Sequence, residues 1–202
     1  MLASSLDVPR IILVLTLLVA GLSGCGGSNG GSSSGSGHTD VVASFYPLAW
    51  AAEQVAGEDH VQVHNLTPPG TEPHDVELTA RDVERIRSAD LVLYLGGGFQ
   101  PAVEDAVDGA DGTALDLLVD PVGHDPHVWL DPLRFARISR RVADALGGSA
   151  DATRLTAELR NLNADYTKGL ARCRRHEIVT AHEAFGYLAR RYGLKQVAIT
   201  GI

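Results

Sequence analysis

Leu91-Val92-Leu93-Tyr94-Leu95 is a run of five residues without a charge, and Gly96-Gly97-Gly98 stops it. A strand with one wet face alternates apolar and polar residues. A run apolar at every position is the pattern of a strand covered on both faces, as in a parallel sheet. Before it, Thr79 followed by Asp82 resembles a capping box and opens a helix through Arg87. After it, Pro101–Val107 reads as a short helix and Thr113–Leu118 as a strand. Further upstream, Asp40–Phe45 reads as a strand. Pro47 then opens a helix to about Ala56, with Gly57 suited to its C-terminal cap, and His60–Leu66 alternates as a second strand. Strand and helix therefore alternate, which predicts βαβ units around a mainly parallel sheet and places the chain in the α/β class.

Downstream, Pro132–Leu146 predicts a helix closed by Gly147-Gly148. Asp151 can cap a second helix reaching about Arg172, on which Leu155, Leu159, Leu162, Tyr166 and Leu170 fall on one stripe. Glu177–Ala181, a helix over Ala184–Tyr192, Gly193 and a strand over Gln196–Thr200 restart the βαβ rhythm. The expected division is a leader at 1–24, a lipidated cysteine with a flexible tether at 25–39, and an α/β lobe at 40–149. A linking helix at 150–174 and the start of a second α/β lobe at 175–202 follow. That second lobe is expected to be incomplete, because a strand runs into the end of the sequence.

The first forty residues do not read as fold. Ile11–Leu22 is almost unbroken apolar sequence, shorter than the roughly 20 residues a membrane-spanning helix needs and suited to the core of a signal peptide. It ends in Leu22-Ser23-Gly24-Cys25, which resembles a bacterial lipobox and makes Cys25 the expected lipid anchor. Gly26–Gly37 contains only Gly, Ser and Asn, a flexible coil with a span of roughly 20 Å. The expected location is extracytoplasmic, either periplasmic or on a Gram-positive surface, with the membrane reached through the N-terminal lipid. Cys173 is the other cysteine and is either half of a disulfide or a free thiol at a helix end. A net charge of −8 argues against nucleic acid as a partner, since phosphate binding needs a basic face. A monomer is expected.

Three of the eight histidines sit at junctions between predicted elements. His74 follows the breaker-rich loop Thr67–Pro73, His127 lies in Asp125-Pro126-His127-Val128-Trp129, and His182 follows the strand Glu177–Ala181. Ligands of α/β sheets bind beyond the carboxyl ends of the strands. Three neutral imidazoles meeting there would suit a divalent transition metal, zinc above all. Glu72, Asp75, Asp125 and Glu183 adjoin the three, and one of them could orient an imidazole; spacing does not say which. Spacing alone does not decide for a metal site either, since a loop histidine is more often a surface residue than a ligand. His38, His60, His64, His124 and His176 are expected at the surface, with His60 and His64 on one face of a strand, and Trp50 and Trp129 in the core or a cleft wall.

The stretches TPPGTEPHDVELTARDVERIRSADLVLYLGGG (67–98), DPHVWLDP (125–132) and VTAHEAFGYLARRYGL (179–194) resemble three motifs of one family, in family order. That family is the metal-specific solute-binding lipoproteins of bacterial ABC importers for zinc and manganese. The resemblance runs from about Asp40 to Ile202. It implies two sandwich-like α/β lobes with mainly parallel sheets, joined by a rigid helix at Asp151–Arg172, with metal in the cleft between them. It places the family's ligands on His74, His127 and His182. It also implies Zn²⁺ as transported cargo, a permease and an ATPase as partners, and no catalysed reaction. Manganese-type members carry Glu at the position of His182, and a third imidazole there favours zinc over the harder manganese ion. The His/Asp-rich loop of many zinc members is reduced here to Val122-Gly123-His124-Asp125. The fourth coordination position stays open between an Asp of the C-terminal lobe, water and Glu72. A partner cysteine for Cys173 would also lie in that lobe. Two other readings compete. One is a zinc hydrolase or lyase with Glu183 or Glu72 as general base, although no HExxH or GxSxG pattern is present. The other is a surface adhesin, a role attributed to some relatives.

Overall fold

A computed structural model describes residues 37–199, apart from 58 and 149. The leader, Cys25, all of the tether before residue 37, and Thr200 lie outside the described residues. In chain order the elements are β1 (Thr39–Ala43), α1 (Tyr46–Ala56), β2 (Val61–Asn65), a 3-10 turn (Pro73–Asp75), α2 (Ala80–Ser88) and β3 (Leu91–Tyr94). They continue with α3 (Pro101–Val107), β4 (Thr113–Asp116), a 3-10 turn (Val128–Leu130), α4 (Pro132–Ala145), α5 (Ala150–Leu170), β5 (Glu177–Thr180), α6 (Gly186–Tyr192) and β6 (Lys195–Ala198).

β1 to β4 form one parallel sheet in the order β2-β1-β3-β4. The apolar run around Leu93 has the neighbours its composition requires, because β3 lies inside the sheet and Val41, Val42 and Ala43 pair with Leu91, Val92 and Leu93. Side chains alternate between the faces of a strand. Val41, Ala43, Leu91 and Leu93 accordingly enter one core with Leu48 and Val55 of α1, Ile138 and Val142 of α4, and Leu155 of α5. Val42 and Val92 enter a second core on the opposite face with Ile86 of α2 and Val103 and Val107 of α3. The sheet is therefore the middle of three layers. The capping box at α2 is complete: Asp82 N–H donates to Thr79 Oγ1 while Thr79 N–H donates to the Asp82 carboxylate.

β5 and β6 form a separate, two-stranded parallel sheet. α6 connects them and ends at Gly193, whose φ of 67° is the left-handed conformation that glycine adopts without a Cβ penalty.

Several limits differ from the sequence expectation for local reasons. β1 stops at Ala43, and Phe45 turns out of the sheet to stand before α1. His60 lies in a turn rather than on β2, so it does not share a strand face with His64, whose ring faces the Arg85 guanidinium at 3.0 Å. β4 ends at Asp116 because its carboxylate accepts the N–H groups of Gly96 and Leu118 and bends the chain. On α5, Leu155 and Leu159 are buried, but Leu162 is 42% exposed and Tyr166 37%. The predicted stripe is thus covered by the first core in its N-terminal half, and Tyr166 further along stacks on Tyr192 of α6. Cys173 is a free, half-buried thiol just beyond α5.

Candidate metal centre

His74 is carried by the loop that leaves β2. Asn65 and Thr67 fix the start of that loop: Thr67 N–H donates to Asn65 Oδ1, and Thr67 Oγ1 donates to the Ser44 carbonyl at the end of β1. Pro73 opens the 3-10 turn, a position where its missing N–H costs little. The His74 ring then lies edge-on to Phe99, with centroids 4.7 Å apart. Phe99 itself packs on Phe45 and Trp129, so the mount is a cluster of rings.

His127 is held more tightly. Its backbone N–H and its Nδ1 both face Asp125 Oδ1, at 3.1 and 3.0 Å. A ring nitrogen engaged by a carboxylate leaves the other nitrogen, Nε2, as the free donor atom for a metal. His127 is 2% exposed and packs on Trp129. Immediately after it, Asp131 caps α4 by accepting the N–H groups of Leu133 and Arg134.

His182 follows β5. Its carbonyl accepts from Thr180 Oγ1 at 2.8 Å, from Gln196 Nε2 on β6 at 2.9 Å and from Ala184 N–H at 3.0 Å. Those bonds bend the chain after β5, which is why α6 begins at Gly186 rather than at Ala184.

The three imidazoles converge. One ring nitrogen from each of His74, His127 and His182 lies within 4.8 Å of the other two. His74 Nε2 and His127 Nε2 are 3.2 Å apart. A tetrahedral zinc ion with bonds of about 2.0–2.1 Å sets its donor atoms about 3.3 Å apart. The His74–His127 edge thus has the length of a tetrahedral edge. Burial lowers the His74 pKa, and proximity to His127 adds to this. The charge of Glu72 opposes the shift, His182 reinforces it, and a hydrogen bond to the Phe99 backbone opposes it. The net shift is downward, toward the neutral form in which imidazole coordinates metal.

Of the four adjoining carboxylates, Asp125 is the one bonded to an imidazole of the cluster. Burial works to raise its pKa. The hydrogen bonds from His127 and the nearby Arg190 outweigh that, and the net shift is downward. Glu72, Asp75 and Glu183 are exposed. Glu183 lines a cleft of about 420 Å³ shared with His124, Asp125, His127 and Arg190. His124 is exposed, and Trp129 is a wall of the site.

α6 is a further support of the site. Tyr187 is 2% exposed; its hydroxyl donates to the Asp125 carbonyl and accepts from Val122 N–H, both at 2.8 Å. The guanidinium groups of Arg134 and Arg190 lie over its ring. Arg190 also reaches Asp125 at 3.5 Å, and Arg191 reaches Asp131 at 2.7 Å. Gly186 leaves room for this, since a Cβ there would lie 2.9 Å from Asp125 Oδ2. The signal was present in the sequence: Tyr187, Arg190 and Arg191 stand at i, i+3 and i+4, on one face of a helix.

Known proteins carry the same architecture. Residues 41–202 match the family described as ZnuA, zinc-uptake complex component A periplasmic. The chain is 33% identical over 199 residues to the zinc-binding lipoprotein AdcA of Streptococcus pneumoniae, covering 82% of this chain and 40% of that protein. It is 30% identical over 227 residues to the high-affinity zinc uptake system protein ZnuA of Bacillus subtilis, covering 95% of this chain and 70% of that one. The solved Zn(II)-bound ZnuA-like domain of Streptococcus pneumoniae AdcA superposes with a TM-score of 0.73 at 32% identity, over 82% of this chain and 68% of that domain. The chain spans about 40% of the length of the AdcA proteins it matches. The match extends over nearly all of the described residues, and the chain belongs to the ZnuA family of zinc-uptake components.

Proposed function

We propose that this chain captures Zn²⁺ outside the cytoplasmic membrane and delivers it to an ABC importer, with His74, His127 and His182 as the ligands. The observation that carries the reading is the convergence of three ring nitrogens from three separate segments to within 4.8 Å. The relatives named for zinc binding and zinc uptake support it. Three imidazoles without a carboxylate in the trio favour zinc over manganese. The fourth position is left to water, to Glu72 or to an Asp of a C-terminal lobe. An ion that is cargo must also leave, so docking on the permease is expected to lower the affinity.

In this reading residues 40–149 form the first lobe, 150–174 the linking helix and 175–202 the second lobe's beginning, with the ion between the lobes. Residues 1–24 are the leader and Cys25 carries the lipid, which holds a monomer at the outer face of the membrane. The partners are the importer's permease and ATPase, and no reaction is catalysed.

Calorimetry on the full chain with Zn²⁺ and with Mn²⁺ tests the assignment. One tight zinc site, weaker for manganese and abolished in the His74→Ala, His127→Ala, His182→Ala triple variant, is expected. Zinc binding indifferent to the three substitutions would sink it.

A further inference from the structure

Gln100 is 1% exposed, yet it lies outside the trio and its flanking carboxylates. Burying a primary amide is costly unless its groups are bonded. Its Nε2 faces three acceptors: the Pro73 carbonyl at 2.9 Å, the Ser44 carbonyl at 3.3 Å and Thr67 Oγ1 at 3.3 Å. Its Oε1 has no partner among the described residues. A buried group satisfied on its donor side and not on its acceptor side calls for a reason beyond packing.

The three acceptors indicate that reason. Ser44 follows the last residue of β1, Thr67 lies in the loop after β2, and Pro73 opens the turn whose next residue is His74. One side chain thus ties the two ends of the His74 loop to the core. The backbone of Gln100 is fixed in turn, because Glu104 in the first turn of α3 accepts its N–H and that of Gly98. Phe99, the residue before Gln100, supplies the ring against which His74 lies. Phe99 and Gln100 together therefore set both the ring and the loop of one histidine. His127 has Asp125 for this purpose; His74 has a hydrogen bond to the Phe99 backbone and, among the described residues, no carboxylate hydrogen-bonded to it.

We propose that Gln100 is the positioning residue of His74: its side-chain amide holds the Pro73 carbonyl and thereby keeps His74 Nε2 aimed at the shared metal point. The inference rests on the zinc-capture reading and adds a residue to it. Groups that orient a metal ligand from behind change affinity by about 10–100-fold when lost.

The test is a double-mutant cycle on the full chain, with zinc affinity read by competition against a chelator and geometry read from the visible spectrum of the Co²⁺-loaded protein. Gln100→Leu is expected to weaken zinc about tenfold or more in the parent. It should also shift the cobalt bands. In a His74→Ala background it should change neither affinity nor spectrum further, because the histidine it acts through is gone. Equal losses in both backgrounds, or parent-like affinity and bands in Gln100→Leu, would overturn the proposal. Gln100→Glu keeps the shape and removes both N–H donors, and it carries the same cycle if the Leu variant does not fold. A failure of the zinc-capture reading looks different: His74→Ala would itself leave affinity unchanged.

Discussion

The two sheets carry the histidine trio on unequal footings. In the four-stranded sheet, Leu91, Val92 and Leu93 of β3 are 3%, 0% and 0% exposed, with helices over both faces. In the two-stranded sheet, β5 alternates between exposed and half-buried residues, and Val179 is 68% exposed. Glu177–Thr180 is no worse a strand sequence than its counterparts, with β-branched residues at three of four positions. The difference lies in what covers it. His74 and His127 stand on the thick side, and His182 on the thin one. A three-point site is no better defined than its least supported point, and the contacts of Tyr187, Arg190 and Arg191 with Val122, Asp125 and Asp131 give the thin side its hold on the thick one.

The sharpest way to break this contrast is Leu93→Ala. A fully buried leucine shortened to alanine leaves a cavity and is expected to cost about 3 kcal/mol in urea-unfolding free energy. A loss below about 1 kcal/mol would mean that the four-stranded sheet is not the stable part. Next comes Asp125→Asn, which replaces the carboxylate behind His127 with an amide. Zinc affinity, measured by chelator competition, is expected to fall about 10–100-fold with the fold retained. Tyr187→Phe removes the hydroxyl that bridges α6 to Val122 and Asp125. It is expected to cost about 1–2 kcal/mol, and hydrogen exchange should quicken in α6 before it does in β3. The smallest effect is expected at Val179→Ser, within about 0.5 kcal/mol of the parent. A large loss there would show that the exposed face of β5 is covered in solution, and the contrast between the sheets would disappear.

Much of this is legible in the sequence. The run at Leu91–Leu95 predicts a strand covered on both faces, and β3 is one, because its side chains alternate into two cores that helices cover on either side of the sheet. Thr79 and Asp82 predict a capping box that forms as written, since capping is a local matter. The stripe on α5 misled from Leu162 onward: spacing reports which residues share a face and says nothing of whether another element covers it. At the site, the junction positions of the three histidines singled them out. Which carboxylate serves His127 was closed to the sequence, because Glu72, Asp75, Asp125 and Glu183 all adjoin a histidine and only the fold turns Asp125 inward. Gln100 was hidden for a similar reason. A lone glutamine after a glycine turn carries no pattern, and its three acceptors come from residues 27 to 56 positions away.

The parallel order of β1 to β4 has one mechanical consequence. Parallel strands send all their first residues to one pole and all their last residues to the other. The chain enters the sheet at Thr39, whereas the rings of Phe45 and Phe99, just past the ends of β1 and β3, pack at the histidine cluster. Five residues of strand put these poles on the order of 15–20 Å apart. The histidine cluster therefore lies at the opposite pole of the four-stranded sheet from the start of β1, and the loops leaving that one pole carry both His74 and the ring it leans on.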